Sequence, residues 1–298
     1  MISILIPTYN YNTLPLVEEL YEQAILEAIE FEIIVQDDAS PINEITSINE
    51  TINQRKFCQF IRNEVNLGRG QNRNSLLQKA KYPWVLLMDC DTFPKHKNFI
   101  KNYVENTKDK DKKAIFGGII YREEKPKEDE MLRWIFGKSR EEIPLQKRQS
   151  NPFHYALISN MLLQKEVLLS HPFNDVLFNY GYEDIIFILE LKKVPINIHH
   201  IENPAFHLNL EKSVVFLHKF HSSLHNLKLV LDQKMISPND TSLTKIYSKL
   251  DRYHMVNLAA FFFDCFQSLF RKNLQSKNPS LFIFDLYRLG YFCKLNKR

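Results

Sequence analysis

The chain has 298 residues, 44% of them hydrophobic, with 39 Lys/Arg against 35 Asp/Glu and a formal net charge of +4. That is enough for a catalytic domain with a sizeable core plus an appendage. The four scattered cysteines, Cys58, Cys90, Cys265 and Cys293, exclude a disulfide framework or a cysteine-spaced metal site, and no apolar run is long enough for a spanning helix.

No basic n-region precedes the apolar run that starts at Ile2, so no signal peptide is expected and a reducing cytoplasm fits. The charge is uneven. Residues 211–298 hold 14 Lys/Arg against 6 Asp/Glu, a net +8, which leaves −4 for residues 1–210. A basic tail suggests an anionic surface as partner, or serves solubility alone.

In chain order, Ile2 to Ile6 reads as a buried strand that ends in the loop Pro7-Thr8-Tyr9-Asn10. A helix follows, capped by Asn12 or Thr13, with Pro15 in its first turn and an apolar stripe of Leu16, Leu20, Ala24 and Ala28. Phe31 to Val35 is the second strand, closed by Gln36-Asp37-Asp38-Ala39-Ser40-Pro41. A helix over about 42–53 leads to a third strand, Phe57 to Ile61. The loop Asn66 to Asn74, with Gly68 and Gly70, then runs into a helix through Lys79. Trp84 to Met88 is the fourth strand, closed by Asp89-Cys90-Asp91.

Strands alternating with helices indicate an α/β domain with a mostly parallel sheet, in which ligands bind beyond the carboxyl ends of the strands. The Pro7 loop, the Asp37-Asp38 loop and the Asp89/Asp91 pair all fall there. No G-x-G-x-x-G or Walker loop is present, so a metal is the expected neutraliser of any phosphate. In extended geometry Asp89 and Asp91 face the same side and can hold Mg²⁺ or Mn²⁺; the plainer reading is a strand-end turn.

Further along, Ala114 to Ile120 reads as a strand with Gly117-Gly118 inside it, which marks close approach of a ligand or of another backbone. Residues 121–150 are densely charged, a lid over the site or a solvated insertion. Tyr155 to Leu163 returns to strand character, and a short helix begins near Gln164. The stretch Asn179-Tyr180-Gly181-Tyr182-Glu183-Asp184 opens a buried helix, with both acids in its first turn, where the macrodipole favours them. Ile196 to Ile201 is a strand. His207, between apolar neighbours, reads on its own as a core histidine. From Glu211 the pattern is helical, over about 211–234, 241–273 and 279–293. The phenylalanines between Met255 and Phe270 either pack on their own domain or form an apolar-and-basic membrane surface.

The segments Ile4 to Asn10, Ile33 to Ser40, Asn66-Leu67-Gly68 with Arg73-Asn74, and Asp89-Cys90-Asp91 together resemble family 2 glycosyltransferases of the GT-A fold across residues 1–210. Gly181-Tyr182-Glu183-Asp184 resembles the acidic motif of chondroitin-polymerase and galactosyltransferase-type enzymes. The resemblance implies a catalytic domain over 1–210 and leaves 211–298 as a helical appendage. It implies that Pro7, Thr8, Tyr9 and Asp38 line the nucleoside pocket, with Arg73 close to the nucleotide. Asp89 would approach the ribose or the metal shell, and Asp91 and His207 would bind Mn²⁺ or Mg²⁺. Asp184 would be the general base, with Glu183 orienting the acceptor. Gln36 and Asn72 depart from the family's usual residues.

The expected activity is metal-dependent inverting transfer of a hexose or N-acetylhexosamine from a nucleotide sugar, a UDP-sugar by the resemblance. The acceptor would be a saccharide or a lipid-linked acceptor in surface polysaccharide synthesis. Rival readings are a nucleotidyltransferase and a non-catalytic nucleotide-sugar-binding protein. A cytoplasmic protein is expected, with peripheral contact to the inner membrane face as the sharper reading of the tail.

Overall fold

The computed structural model describes residues 1–174, 177 and 181–297. Asp175 and the Asn179-Tyr180 start of the acidic stretch lie outside the described residues. In chain order the elements begin β1 (Ile2–Thr8), α1 (Leu14–Leu26), β2 (Phe31–Asp37), α2 (Glu44–Glu50), β3 (Cys58–Arg62), α3 (Arg69–Lys79) and β4 (Trp84–Met88). Next come β5 (Thr92–Pro94), α4 (Phe99–Asn106), β6 (Ala114–Phe116), β7 (Ile119–Ile120), α5 (Met131–Arg140), α6 (Leu145–Ser150) and α7 (Pro152–Tyr155). Then follow β8 (Asn160–Gln164), α8 (Lys165–Ser170), α9 (Glu183–Lys192), β9 (Ile198–His200) and β10 (Ala205–His207). Four helices close the chain: α10 (Ser213–Asp232), α11 (Ser242–Arg252), α12 (Val256–Leu274) and α13 (Leu281–Leu295).

The chain divides into two compact units. One comprises Met1–Arg122, Arg140–Phe178 and Glu183–Asn209; the other comprises Glu123–Ser139, Asn179–Tyr182 and Leu210–Arg298.

The first unit is built on a seven-stranded sheet of order β3-β2-β1-β4-β8-β6-β9. Its strands are parallel except for β8, which runs antiparallel to β4 and β6. The apolar runs read as strands form it because both faces are covered: Ile4, Leu5, Ile6, Val35, Leu86 and Met88 are fully buried. A smaller sheet, β5-β10-β7, sets Thr92 opposite His207. The expected strand over 114–120 is two strands in two sheets, broken at Gly117-Gly118. A side chain at Gly117 would strike the Asn203 carbonyl and the Tyr103 hydroxyl, so the close approach there is by the protein's own backbone and core. The expected strand from Tyr155 starts only at Asn160, because Pro152–Tyr155 forms a turn of helix first.

In the second unit, Leu132 and Phe136 of α5 join Phe216, Phe263, Phe284 and Tyr287 in one aromatic core. Much of the 121–150 excursion is therefore helical. The single helix expected over 241–273 is two helices. His254 takes φ 57° and Met255 N–H donates to the Leu250 carbonyl at 2.8 Å, a left-handed cap that ends α11.

Candidate active site

The carboxyl ends of β1, β2 and β4 converge in the first unit, and each acidic pair there is used differently. Asp37 is structural. It pairs with Arg62 at 3.3 Å and accepts from the Ser40 amide at 3.0 Å. Asp38 holds a loop: its carboxylate accepts from the amides of Leu67 and Gly68 at 2.8 and 3.0 Å and from Asn63 Nδ2 at 2.9 Å. Its own amide donates to the Thr8 carbonyl at 2.9 Å. Asp38 thus fixes the start of α3 against the end of β1, where Pro7, Thr8 and the exposed Tyr9 lie.

The two residues that depart from the family's pattern are partners. Gln36 Nε2 donates to Asn72 Oδ1 at 2.9 Å, and Asn72 Nδ2 donates back to the Gln36 carbonyl at 3.2 Å. Both are buried.

Asp89 and Asp91 make different pairings. The Asp89 carbonyl accepts from the Thr92 amide at 3.0 Å and from its hydroxyl at 2.7 Å. This turn replaces the extended geometry expected from the sequence. Asp89 Oδ1 accepts from Arg73 Nη2 at 2.9 Å, whereas Asp91 Oδ2 lies 3.7 Å from His207 Nε2.

Arg73 is the hub of the first of these clusters. Its side chain is 2% exposed, packs 5.3 Å from the Phe173 ring, and donates from Nη1 to Asp184 Oδ1 at 2.5 Å. A buried guanidinium requires counter-charge, and two carboxylates supply it. Burial alone would pull its pKa down, but Asp184, Asp89 and Glu183 outweigh that and raise it. Burial pushes Asp89 up, yet Arg73 and Arg69 outweigh it and hold that carboxyl below its ordinary value. Asp184 goes the other way. Burial, helped by Glu183 and Asp89, pushes it up to about 6 against the pull of Arg73.

Glu183 and Asp184 occupy the first turn of α9, after Gly181 at φ 101° and Tyr182 at φ 73°. Glu183 is buried. Its Oε1 lies 3.8 Å from Arg69, and its Oε2 has no hydrogen-bond partner among the described residues. Asp184 keeps 31% of its side chain exposed. A buried acceptor beside a half-open carboxylate of raised pKa suits a substrate hydroxyl that must be held and deprotonated.

The second cluster is Asp91 and His207. Pairing of β5 with β10 places them, together with a hydrogen bond from the Leu208 amide to the Asp91 carbonyl at 2.8 Å. The His207 ring stacks on Tyr121 at 5.5 Å and 21°, and the Tyr121 hydroxyl is held by Glu141 while its amide donates to Glu142 at 2.8 Å. An oxygen and an imidazole donor at this separation fit a divalent cation, with positions left open for phosphate oxygens. Among the described residues no third His, Cys, Asp or Glu completes the group. Asp89, expected at the ribose or the metal shell, pairs with Arg73 at 2.9 Å.

The sequence alone assigns no role to Tyr11, Arg69, Asn63 or Tyr121. Burial and the neighbouring Asp91 push the Tyr11 phenol up to about 12. Its place directly after Pro7-Thr8-Tyr9-Asn10 was the one available signal; Tyr121 and Asn63 reach the site only through folding.

A family profile described as Glycosyl transferase family 2 matches residues 3–169. An uncharacterized glycosyltransferase of Methanocaldococcus jannaschii is 29% identical over 133 residues, 42% of this chain and 43% of that protein. Among solved structures, a mannosyltransferase from Pyrobaculum calidifontis in complex with GDP-Man and Mn²⁺ is similar. Its TM-score is 0.55 at 14% identity, over 78% of this chain and 64% of that one. S. aureus TarS is similar with a TM-score of 0.55 at 16% identity, over 96% of this chain and 54% of that one. The chain thus spans less than half of this curated relative and less than two thirds of either structure.

Proposed function

The chain belongs to glycosyltransferase family 2 and has a GT-A-type fold, and from that premise we propose that it is an inverting, metal-dependent hexosyltransferase using a nucleotide-sugar donor. The observation that carries the proposal is the convergence of Asp184, Arg73 and Asp89 beside the Asp91–His207 pair in the first unit. Pro7, Thr8 and Tyr9 line the nucleoside pocket, and Asp38 acts beneath them by fixing the Asn63–Gly68 loop.

Asp91 and His207 would hold Mn²⁺ or Mg²⁺, which when bound stabilises the negative charge of the leaving diphosphate. Asp184 takes the proton of the acceptor hydroxyl as that oxygen bonds to the anomeric carbon and the diphosphate departs. Arg73 binds one oxygen of Asp184 and fixes the carboxylate's direction. Glu183 Oε2 accepts a hydrogen bond from the acceptor. A single displacement inverts the anomeric centre, so an α-linked donor gives a β-linked product.

The resemblance favours a UDP-sugar, and the P. calidifontis structure holds GDP-Man, so both nucleotides belong in the screen. A saccharide or lipid-linked acceptor, surface polysaccharide synthesis and a cytoplasmic setting complete the proposal. The test is release of nucleoside diphosphate from a panel of UDP- and GDP-sugars with Mn²⁺. Asp184→Asn should retain donor binding and lose about 10²–10⁴-fold in transfer. Release of pyrophosphate instead would make the protein a nucleotidyltransferase. Binding of donor without any release, with or without sugar acceptors, would overturn the enzymatic reading.

A further inference from the structure

The second unit carries an apolar row that its own core does not use. On α12, Ala260 and Phe263 are buried, and Gly290 of α13 makes room for the Phe263 ring. On another face of the same helix, Leu258, Phe261, Phe262, Cys265, Phe266 and Leu269 recur at intervals of three and four, and all six are exposed. Phe261, Phe262 and Leu269 keep 61%, 57% and 66% of their surface open. The row is about 16 Å long, at 1.5 Å per residue. Scattered surface phenylalanines need no explanation, but a contiguous row marks an interaction face.

Charge says what covers it. Asp264, the one acidic residue of α12, lies off the row and pairs with Lys294 at 2.6 Å. The row itself is uncharged and lies between Arg252, just before the helix, and Lys272 near its end. Residues 211–298 hold 14 Lys/Arg against 6 Asp/Glu, and residues 123–139 of the same unit add 4 against 5.

We propose that this face of α12 lies on an anionic lipid bilayer, with its phenylalanines at the boundary of headgroups and acyl chains and its basic residues among the headgroups. A second copy of the chain is the poorer occupant, because two strongly basic units would meet with like charge, whereas an anionic leaflet attracts each. No helix among the described residues is long and apolar enough to cross a membrane, and the contact proposed is with one leaflet. It is independent of the transfer chemistry proposed above.

The experiment is flotation of the full chain with phosphatidylglycerol and with phosphatidylcholine vesicles, at low salt and at about 0.5 M salt. Binding to the anionic vesicles, weakened by salt and about tenfold or more weaker in Phe262→Ser/Leu269→Ser, is expected. These positions are exposed, so the variant should keep its thermal unfolding midpoint. Cys265 is the exposed cysteine, and a polarity-sensitive fluorophore there should report an apolar setting only with anionic vesicles. Absence of binding to either vesicle would overturn the proposal. So would vesicle binding that the double substitution leaves intact. Concentration-dependent dimers without lipid, abolished by the same substitutions, would assign the face to a second copy.

Discussion

Asp184 should impose the acid limb of the pH–rate profile. Its carboxyl is pushed up to about 6 by burial and by Glu183 and Asp89, with Arg73 opposing. A base of that pKa is roughly 90% ionised at pH 7 and roughly 10% at pH 5, a fall of about tenfold in rate. An ordinary aspartate, with pKa about 3.9, would still be roughly 90% ionised at pH 5. The assay is single-turnover transfer at saturating donor and Mn²⁺, so that the limb reports the loaded enzyme.

Arg73 tests the cause. Removing its charge should move the limb towards higher pH, because the main opposing attraction is lost. Arg73→Met leaves two carboxylates without their partner, at a cost of about 3–5 kcal/mol, so Arg73→Lys serves as the folded control and should shift the limb less. Stability carries the matching sign. The folded pKa of Asp184 lies above its ordinary 3.8, so its contribution to stability is lost as pH rises through 3.8 to about 6. Asp89 is depressed, so its contribution is present above its ordinary value and lost as pH falls. A half-maximal rate below about pH 5, or a limb indifferent to Arg73→Lys and Arg73→Met, would refute the reasoning.

Asp91→Asn should weaken Mn²⁺ binding sharply in an electron paramagnetic resonance titration, and full activity in EDTA would reject the role. Tyr121→Leu removes the ring on which His207 stacks and should weaken the same binding about tenfold, as loss of an orienting neighbour does; unaltered affinity would make the stack incidental. Gly117→Ala sets a methyl 2.5 Å from the Tyr103 hydroxyl and 2.7 Å from Asn160 Nδ2, and should cost about 1–3 kcal/mol in urea unfolding. For the buried Gln36–Asn72 pair, Asn72→Ala alone should cost about 1–3 kcal/mol. With Gln36→Val added, the loss should fall below the sum of the singles, whereas strict additivity would deny the coupling.

The sequence made the sheet readable because its strands are buried on both faces. Ile2 to Ile6, Phe31 to Val35 and Trp84 to Met88 are apolar but for Ser3 and Glu32, which bond to each other at 2.6 Å, and the register of β1 against β2 and β4 runs through them. Alternation failed where hydrogen bonding to a carbonyl took over from strand pairing. Asp89 and Asp91 look like an extended D-x-D, but Thr92 bonds back to the Asp89 carbonyl and turns the chain between them. Gly117-Gly118 reads in the sequence as a place of close approach; which atoms approach depends on Asn203, distant in sequence. The Tyr121 stack on His207 was illegible for the same reason, since Glu141 and Glu142 meet Tyr121 only after the excursion between them has folded.

That turn has a chemical consequence. Without Asp89, the Arg73 guanidinium would be left with Asp184 as its nearest carboxylate. A buried arginine with one carboxylate would hold that carboxylate more completely ionised and less basic. Burial raises Asp184 to about 6, and the negative charge of Asp89 adds to that rise, while Arg73 and Arg69 drive Asp89 itself below its ordinary value. Asp91 is left to His207. Across the Asp89–Thr92 turn, then, one aspartate pairs with Arg73 beside the proposed base and the other lies against His207, where the metal would be held.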